Sequence, residues 1–325
     1  MQKITIIDST LRDGNHAIKH QITKEVYRDY ARGAEKAGIP ILVVGHGNGL
    51  GASSLHLGKS LVSDKEMLSI VKKELVNTKL AAFAIPGFAT LSDVEMAKEE
   101  GVEILFVATH CTEANVSKEY IRRSGLKCYG VLMMSHMESA YKLLEQAKLM
   151  ESYGAVGIFL MDSAGASLPN EVKLKVSVLV EGLHIPVGFH AHNNLGMAVA
   201  NSLTAAGRGA TMLDATTRGF GAGAGNAQLE VLVALLNKIG YETGTSLKEL
   251  LKNTEIVEKL KGPQLVSPLS IMSGLNGVFS GFVPHVERIS KEYKVDPWDI
   301  FTELGRRKVV AGQEDQILEV ALSLS

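Results

Sequence analysis

The chain has 325 residues, with 34 Lys and Arg against 35 Asp and Glu, 46% hydrophobic residues, 32 glycines, 8 prolines and 2 cysteines. The ordinary apolar fraction and glycines without a triplet period exclude disorder and collagen-like structure. A formal net charge of −1 supplies no clustered basic charge for nucleic acid or an anionic membrane surface.

The N-terminal MQKITIIDST lacks a basic segment followed by an apolar one, so no signal peptide is expected. No stretch reaches the roughly 18 uninterrupted apolar residues of a membrane helix. Cys111 and Cys128 build neither a disulfide framework nor the paired spacing of a zinc site. They read as free thiols in a reducing compartment, and a soluble cytoplasmic protein is expected.

Short apolar, β-branched runs then recur, each followed by a stretch of helical period. In chain order they are Ile4–Asp8, Pro40–Val44, Leu80–Ala84, Ile104–Ala108, Lys127–Leu132, Val156–Met161, Val187–His190 and Met212–Ala215. Their near-continuous hydrophobicity predicts parallel strands buried on both faces. Between them Lys24–Ala37, Asp64–Val76, Ser139–Ser152, Asn170–Glu181 and Leu195–Ala206 have the mixed pattern of amphipathic helices. Gly38 and Gly101 stand where a left-handed helix cap is wanted before the next strand. Eight βα units close a barrel, so the expected fold is α/β, a (β/α)8 TIM barrel. Beyond residue 240 the strand pattern stops, and Ser246–Lys261 and Val286–Glu303 read as helices, followed by the basic step Gly305-Arg306-Arg307-Lys308. The expected organisation is a catalytic barrel over residues 1–240 and a helical C-terminal domain over 241–325.

In such a barrel the chemistry sits at the C-terminal ends of the strands. Run one ends in Asp8-Ser9-Thr10-Leu11-Arg12-Asp13-Gly14-Asn15-His16, run seven in His190-Ala191-His192-Asn193-Asn194, and run eight leads into Thr217–Asn226. His190 and His192 are two apart, and the period of a strand sends both imidazoles to one side. With Asp13 from a nearby strand end they offer nitrogen and oxygen ligands for a divalent transition metal. The plainer alternative is that the two imidazoles only bond neighbouring backbone. Arg12 beside the ligand is suited to stabilise a developing negative charge, or else to form a surface ion pair. His16 is a candidate for proton transfer near neutral pH, the alternative being a loop or cap histidine. His20 and His110 are weaker candidates of the same kind.

Gly47-Asn48-Gly49-Leu50-Gly51-Ala52 fits G-x-G-x-x-A but lacks the acidic residue about 20 positions on that a dinucleotide fold needs. The glycines of Gly219–Gly225 suit either a phosphate or a close approach of backbone to a ligand or metal.

The string Ser9-Thr10-Leu11-Arg12-Asp13-Gly14-Asn15-His16-Ala17-Ile18-Lys19-His20-Gln21, with His190–Asn194 and Gly221–Asn226, resembles the DRE-TIM metallolyases of the HMG-CoA lyase-like superfamily. Gly45-His46-Gly47 through Gly51, Ala108–Ala114, Gly305-Arg306-Arg307 and Gly312-Gln313-Glu314-Asp315 are similar to segments of its 4-hydroxy-2-oxovalerate aldolase family. The resemblance implies a Mn²⁺-dependent retro-aldol cleavage giving pyruvate and a short aldehyde, in aromatic-hydrocarbon catabolism. It implies Asp13, His190 and His192 as metal ligands with Asn226 beside them, Arg12 as the group that steadies the pyruvate enolate, and His16 as acceptor of the C4 hydroxyl proton. Ser163 would bond the substrate carboxylate. It also implies that the helical extension meets an acylating aldehyde dehydrogenase, in a homo- or hetero-oligomer.

One departure stands out. The family has two tyrosines in Gly-Tyr-x-Gly-Val-Tyr, where this chain reads Gly274-Leu275-Asn276-Gly277-Val278-Phe279. A hydroxyl near the reacting alcohol is thereby lost unless Ser280 or water supplies it, which leaves aldehyde length and stereochemistry open. The competing readings are a relative that uses another aldehyde in a biosynthetic direction, a Claisen-type condensing enzyme, and a non-catalytic partner of a dehydrogenase. A pure scaffold has no physical need of a metal triad.

Overall fold

The computed structural model describes residues 2–260 and 265–325. Its strands and helices alternate: β1 Thr5–Asp8, α1 Lys24–Ala37, β2 Ile41–Val43, α2 Asp64–Lys72, β3 Lys79–Ala84, α3 Leu91–Glu99, β4 Ile104–His110, α4 Lys118–Arg123, β5 Lys127–Met133, α5 Ala140–Tyr153, β6 Gly157–Asp162, α6 Pro169–Gly182, β7 Val187–Ala191, α7 Ala198–Ala206, β8 Met212–Ala215 and α8 Leu229–Lys238. All strand pairs are parallel, and β1 pairs with β8, in the register Ile7 to Asp214, to close the barrel. Each of the eight expected runs is a strand.

Alternation within the strands explains their continuous hydrophobicity. Ile7, Val43, Phe83, Phe106, Val131, Phe159 and Met212 form one apolar cluster inside the barrel. Ile6, Leu42, Leu80, Leu105, Leu132 and Leu160 turn the other way, into the larger cluster beneath the helices. Each such side chain contributes about 1.5–3 kcal/mol on burial. Helix ends follow local chemistry. Ser63 and Glu66 form a capping box at the start of α2, and Gly38, at φ 70°, ends α1. Helix α2 stops at Lys72, short of the expected Val76, because the amides of Val76, Asn77 and Thr78 donate to the Glu35 carboxylate of α1 instead.

Beyond the barrel lie α9 Leu247–Leu260, α10 Pro268–Leu275, α11 Val283–Tyr293, α12 Pro297–Arg307 and α13 Asp315–Leu324. Of the expected helix Ser246–Lys261, Lys261 lies outside the described residues. Helix α9 packs on α1, with Leu250 and Val257 in the cluster that surrounds the barrel. A separate cluster, Val278, Phe282, Val286, Ile300, Phe301, Leu304, Ile317 and Val320, holds α11 to α13 together. The single helix expected over Val286–Glu303 is two. Lys294 turns left-handed at φ 57°, Asp296 caps the amide of Trp298, and Pro297 opens α12. Proline lacks an N–H and suits a first turn, not a helix interior. The basic step 305–308 is no basic patch, because Arg306 and Arg307 both bond Glu303. No helix among the described residues is long and apolar enough to cross a membrane.

Candidate active site and metal centre

The chain leaves β1 in a tight turn, with the amides of Arg12 and Asp13 both donating to Ser9 O at 3.0 and 2.8 Å. Residues Asp13–Ile18 then form a short 3-10 turn across the barrel mouth. Asn15 fixes this turn to the next strand end, its Nδ2 donating to Gly45 O and to the Tyr27 hydroxyl, each at 2.8 Å. Not every polar residue here faces the mouth. The Asp8 carboxylate turns outward, accepting hydrogen bonds from Thr10 and Tyr30.

Asp13, His190 and His192 converge, their ligand-type atoms all within 4.8 Å of one another, and all three residues are buried. The two imidazoles lie 5.1 Å apart, centroid to centroid. His190 Nδ1 donates to Asp214 Oδ2 at 2.9 Å, and Ser9 Oγ donates to the same oxygen. That leaves Nε2 of His190 as the free lone pair. His190 Nε2, His192 Nδ1 and Asn226 Oδ1 are buried with no hydrogen-bond partner among the described residues. Buried polar atoms are normally satisfied, so such a group of convergent acceptors fits a cation. A carboxylate that orients a ligating imidazole from behind is a recurrent feature of metal sites.

The Asp13 carboxylate is held from three directions: Arg12 Nη1 at 2.8 Å, Asn226 Nδ2 at 2.8 Å and the Ala222 amide at 3.3 Å. Burial works to raise its pKa. The Arg12 guanidinium outweighs this, helped by His192, His16 and His190, and keeps the carboxyl well below the usual carboxylate range. The loop Gly219–Gly225 passes over Asp13 so closely that a Cβ at Gly221 would stand 2.5 Å from Asp13 Oδ1. These glycines let the backbone approach the Asp13 carboxylate itself. His192 is lowered to about 3, chiefly by burial, and so stays a neutral donor of a lone pair at neutral pH.

Arg12 is 3% exposed and lies 4.5 Å above the Phe83 ring. Nη1 is spent on Asp13 and on Gly47 O, while Nε and Nη2 have no partner among the described residues. A buried guanidinium with two spare donors beside an acceptor cluster is a receptor for a planar anion. It is no surface ion pair. His16 lies half-buried in the same mouth. Burial lowers its pKa, and Asp13 pulls it partly back up.

His20 is buried and stacks on His46 with centroids 3.6 Å apart, its edge toward His16 at 5.2 Å. Ser163 is buried at the end of β6, where its Oγ accepts the Met134 amide and its carbonyl accepts the Ser280 amide. Ser280 supplies no free hydroxyl, since its Oγ donates to Asn194 Oδ1 at 2.6 Å. Leu275 is 60% exposed on α10, and the Phe279 ring packs edge-on against Phe282 in the extension. His110 is bonded to Thr112, with Met137 Sδ at 3.4 Å, and is not part of the convergent group. G-x-G-x-x-A over 47–52 leads into no helix before α2, and Gly47 O serves Arg12.

Three residues escaped the sequence reading. Asp214 was visible only as a lone charge inside an apolar strand. His46 stands just before the glycine motif, in the segment Gly45-His46-Gly47, whose resemblance to the family gives it no role. His136, after β5, bonds Gly277 O across to the extension at 2.9 Å and left no pattern at all.

Comparison with known proteins agrees with this geometry. Residues 3–257 match the HMGL-like family, and residues 264–325 match a DmpG-like communication domain. The 4-hydroxy-2-oxovalerate aldolase of Pectobacterium atrosepticum is 53% identical over 100% of this chain and 96% of its own length. That of Carboxydothermus hydrogenoformans is 47% identical over 100% of this chain and 98% of its own. In fold, the chain is similar to the carboxyl transferase domain of Rhizobium etli pyruvate carboxylase, with TM-score 0.83 and 17% identity over 100% of this chain and 61% of that one. It is also similar to Bacillus subtilis HMG-CoA lyase, with TM-score 0.67 and 20% identity over 82% and 97%. A closed barrel with a buried Asp-His-His group, matched along its whole length by these relatives, belongs to the HMGL-like family and, within it, to the carbon–carbon lyases of the 4-hydroxy-2-oxovalerate aldolase type.

Proposed function

We propose that this chain cleaves 4-hydroxy-2-oxovalerate, or a close 4-hydroxy-2-oxoacid, to pyruvate and a short aldehyde, with Asp13, His190 and His192 holding a divalent cation, Mn²⁺ by preference. The observation that carries this reading is the set of buried, unpartnered atoms His190 Nε2, His192 Nδ1, Arg12 Nε and Arg12 Nη2 around one Asp carboxylate. When bound, the cation supplies Lewis acidity toward the 2-oxo group and carboxylate of the substrate.

The chain's own residues do the rest. The spare donors of Arg12 bind the oxygen that gains charge as the C3–C4 bond breaks. His16, kept neutral by burial, accepts the C4 hydroxyl proton, so that C4 leaves as an aldehyde carbonyl and the bonding pair remains as the pyruvate enolate. Transfer of that proton from His16, directly or through water, to C3 then gives pyruvate and restores the neutral imidazole. Ser163, whose Oγ already accepts one amide, has its own O–H to offer the substrate carboxylate. Asn226 Nδ2 holds Asp13, and its buried Oδ1, without a partner among the described residues, is an acceptor to spare. A scaffold without catalysis would leave these buried polar atoms uncompensated at about 1–3 kcal/mol each, which argues against that alternative.

The extension, matched to a communication domain over residues 264–325, is proposed to dock an acylating aldehyde dehydrogenase that consumes the aldehyde. The deciding experiment follows pyruvate from racemic 4-hydroxy-2-oxovalerate, using chelated protein with and without added Mn²⁺. Release only with metal is expected. No release from metal-loaded protein overturns the proposal. Co-expression with an acylating dehydrogenase should give a complex on size exclusion, and separate elution overturns the docking.

A further inference from the structure

Resting on the proton-accepting role proposed for His16, we infer that His46 is the positioning residue for that imidazole, acting through the stacked ring of His20. His46 is fully buried, 0% exposed, and is not among the ligand-type residues around Asp13. Both of its ring nitrogens are occupied. Nδ1 accepts the Asn48 amide at 3.1 Å, and Nε2 donates to Gly58 O at 3.1 Å. These two bonds fix one tautomer and one ring plane, and they tie the turn 46–48 to the loop that carries Gly58.

On this fixed plane lies His20, with rings 3.6 Å apart and 16° from parallel. His20 reaches it from a strained backbone, because Lys19 and His20 have φ 54° and 61° in succession. Left-handed non-glycine residues cost about 1–3 kcal/mol each and persist only where the surroundings over-determine them. The Gly47 amide, 3.5 Å from His20 Nδ1, and the Leu57 backbone complete the hold on His20.

His16 is enclosed by what this pair sets in place. The His20 ring meets it edge-on at 5.2 Å and the His46 ring at 6.4 Å. The backbone of Gly47, next to His46, comes so near that a Cβ there would stand 2.4 Å from His16 Nε2. His16 thus packs against a ring stacked on His46 and against the residue adjoining His46. A shift of His46 moves both. Neither ring of the stack is free to relay a proton outward, since both His46 nitrogens are bonded to backbone, so the contribution is to orientation. Misplacing a reacting group by about 1 Å can lower a rate by 10²-fold.

The test compares His46→Ala, His46→Phe, His16→Ala and the double variant His16→Ala/His46→Ala, in the full chain loaded with Mn²⁺. Pyruvate release gives kcat and KM. Inhibition by oxalate, an analogue of the pyruvate enolate, reports the Arg12 side of the mouth. His46→Ala is expected to lower kcat about 10- to 100-fold, with KM and oxalate inhibition within about 2-fold. His46→Phe, which keeps a ring to stack on, should retain kcat within about 5-fold and keeps the test alive if His46→Ala does not fold. The double variant should be no slower than His16→Ala alone, because residues that act through one another are not additive. A wild-type kcat in His46→Ala, a parallel loss of oxalate inhibition, or a double variant slower than His16→Ala by the full single effect overturns the inference. A wild-type kcat in His16→Ala instead overturns the proposed role of His16 and removes the basis for His46 with it.

Discussion

The barrel mouth and the helical extension treat their polar groups in opposite ways. At the mouth, Arg12, His190, His192 and Asn226 each keep a buried nitrogen or oxygen without a partner among the described residues. In the extension several charges are paired with one another: Arg306 and Arg307 on Glu303, Arg307 on Glu319, Lys291 on Glu287. Exposed pairs of this kind contribute at most about 1 kcal/mol each. The apolar cluster of α11 to α13 closes on itself, and the seam to the barrel includes a few directed bonds, from the Ser280 amide to Ser163 O, Ser280 Oγ to Asn194 and His136 to Gly277 O. Convergent unspent bonding capacity around one carboxylate suits the mouth to a ligand, and the paired charges of the extension hold structure. Substitutions should therefore hurt catalysis steeply at the mouth and shallowly in the extension.

The steepest expected case is Asp13→Asn. It removes the negative member of the ligand group and leaves the buried Arg12 charge unpaired, which is a severe change in a site of this kind. Pyruvate release should fall by about 10³-fold or more, and the metal retained per chain after desalting, read by elemental analysis, should fall with it. Metal retained at the wild-type level would take Asp13 out of the ligand set.

Asp214→Asn tests the next layer out. The amide keeps the volume, but it can no longer hold His190 Nδ1–H as a carboxylate does, nor accept as strongly from Ser9 Oγ. Outer partners of this kind are worth about 10- to 100-fold in metal affinity or activity. Titration with Mn²⁺ should show that loss as a higher metal requirement, with kcat at saturating metal reduced less. Unchanged metal dependence would make the Asp214 contact one of folding alone.

How much of this was legible in the sequence follows the same division. The strands could be read because each is a short apolar run buried on both faces, and the ligands because His190 and His192 share a strand period of two. Asp13 was legible as the carboxylate nearest in topology, since β1 and β7 both adjoin β8. The partners behind the ligands were not, because Asp214 meets His190 only through the pairing of two strands whose register no local pattern encodes. The stack of His20 on His46 likewise joins residues 26 positions apart in sequence through two loops. In the extension, periodicity merged α11 and α12 because their apolar stripes run nearly in phase, and the Asp296-Pro297 break outranks the stripe. The strand pattern ends at residue 240, yet α9, which follows, packs on α1. Helical periodicity says that a face is apolar without saying which partner covers it.

The shallowest expected case is Phe279→Tyr, which restores one of the two family tyrosines. If the lost hydroxyl alone set the aldehyde preference, this change would move it sharply. The geometry argues otherwise. The Phe279 ring lies 5.7 Å from Phe282 at 81°, packed with the extension cluster, and the Gly281 backbone lies close against its edge. The ring contact of Phe279 among the described residues is with Phe282, whereas His16 meets His20 and His46 and Arg12 meets Phe83, and the seam near Ser280 is pinned by Ser280 on both Ser163 and Asn194. Pyruvate release from each C4 enantiomer of 4-hydroxy-2-oxovalerate, measured separately, should change by less than about 2-fold in kcat/KM, within about 0.4 kcal/mol of transition-state free energy. A larger shift in the ratio of the two would show that residue 279 reaches the reacting alcohol and that the mouth and the extension share one specificity pocket.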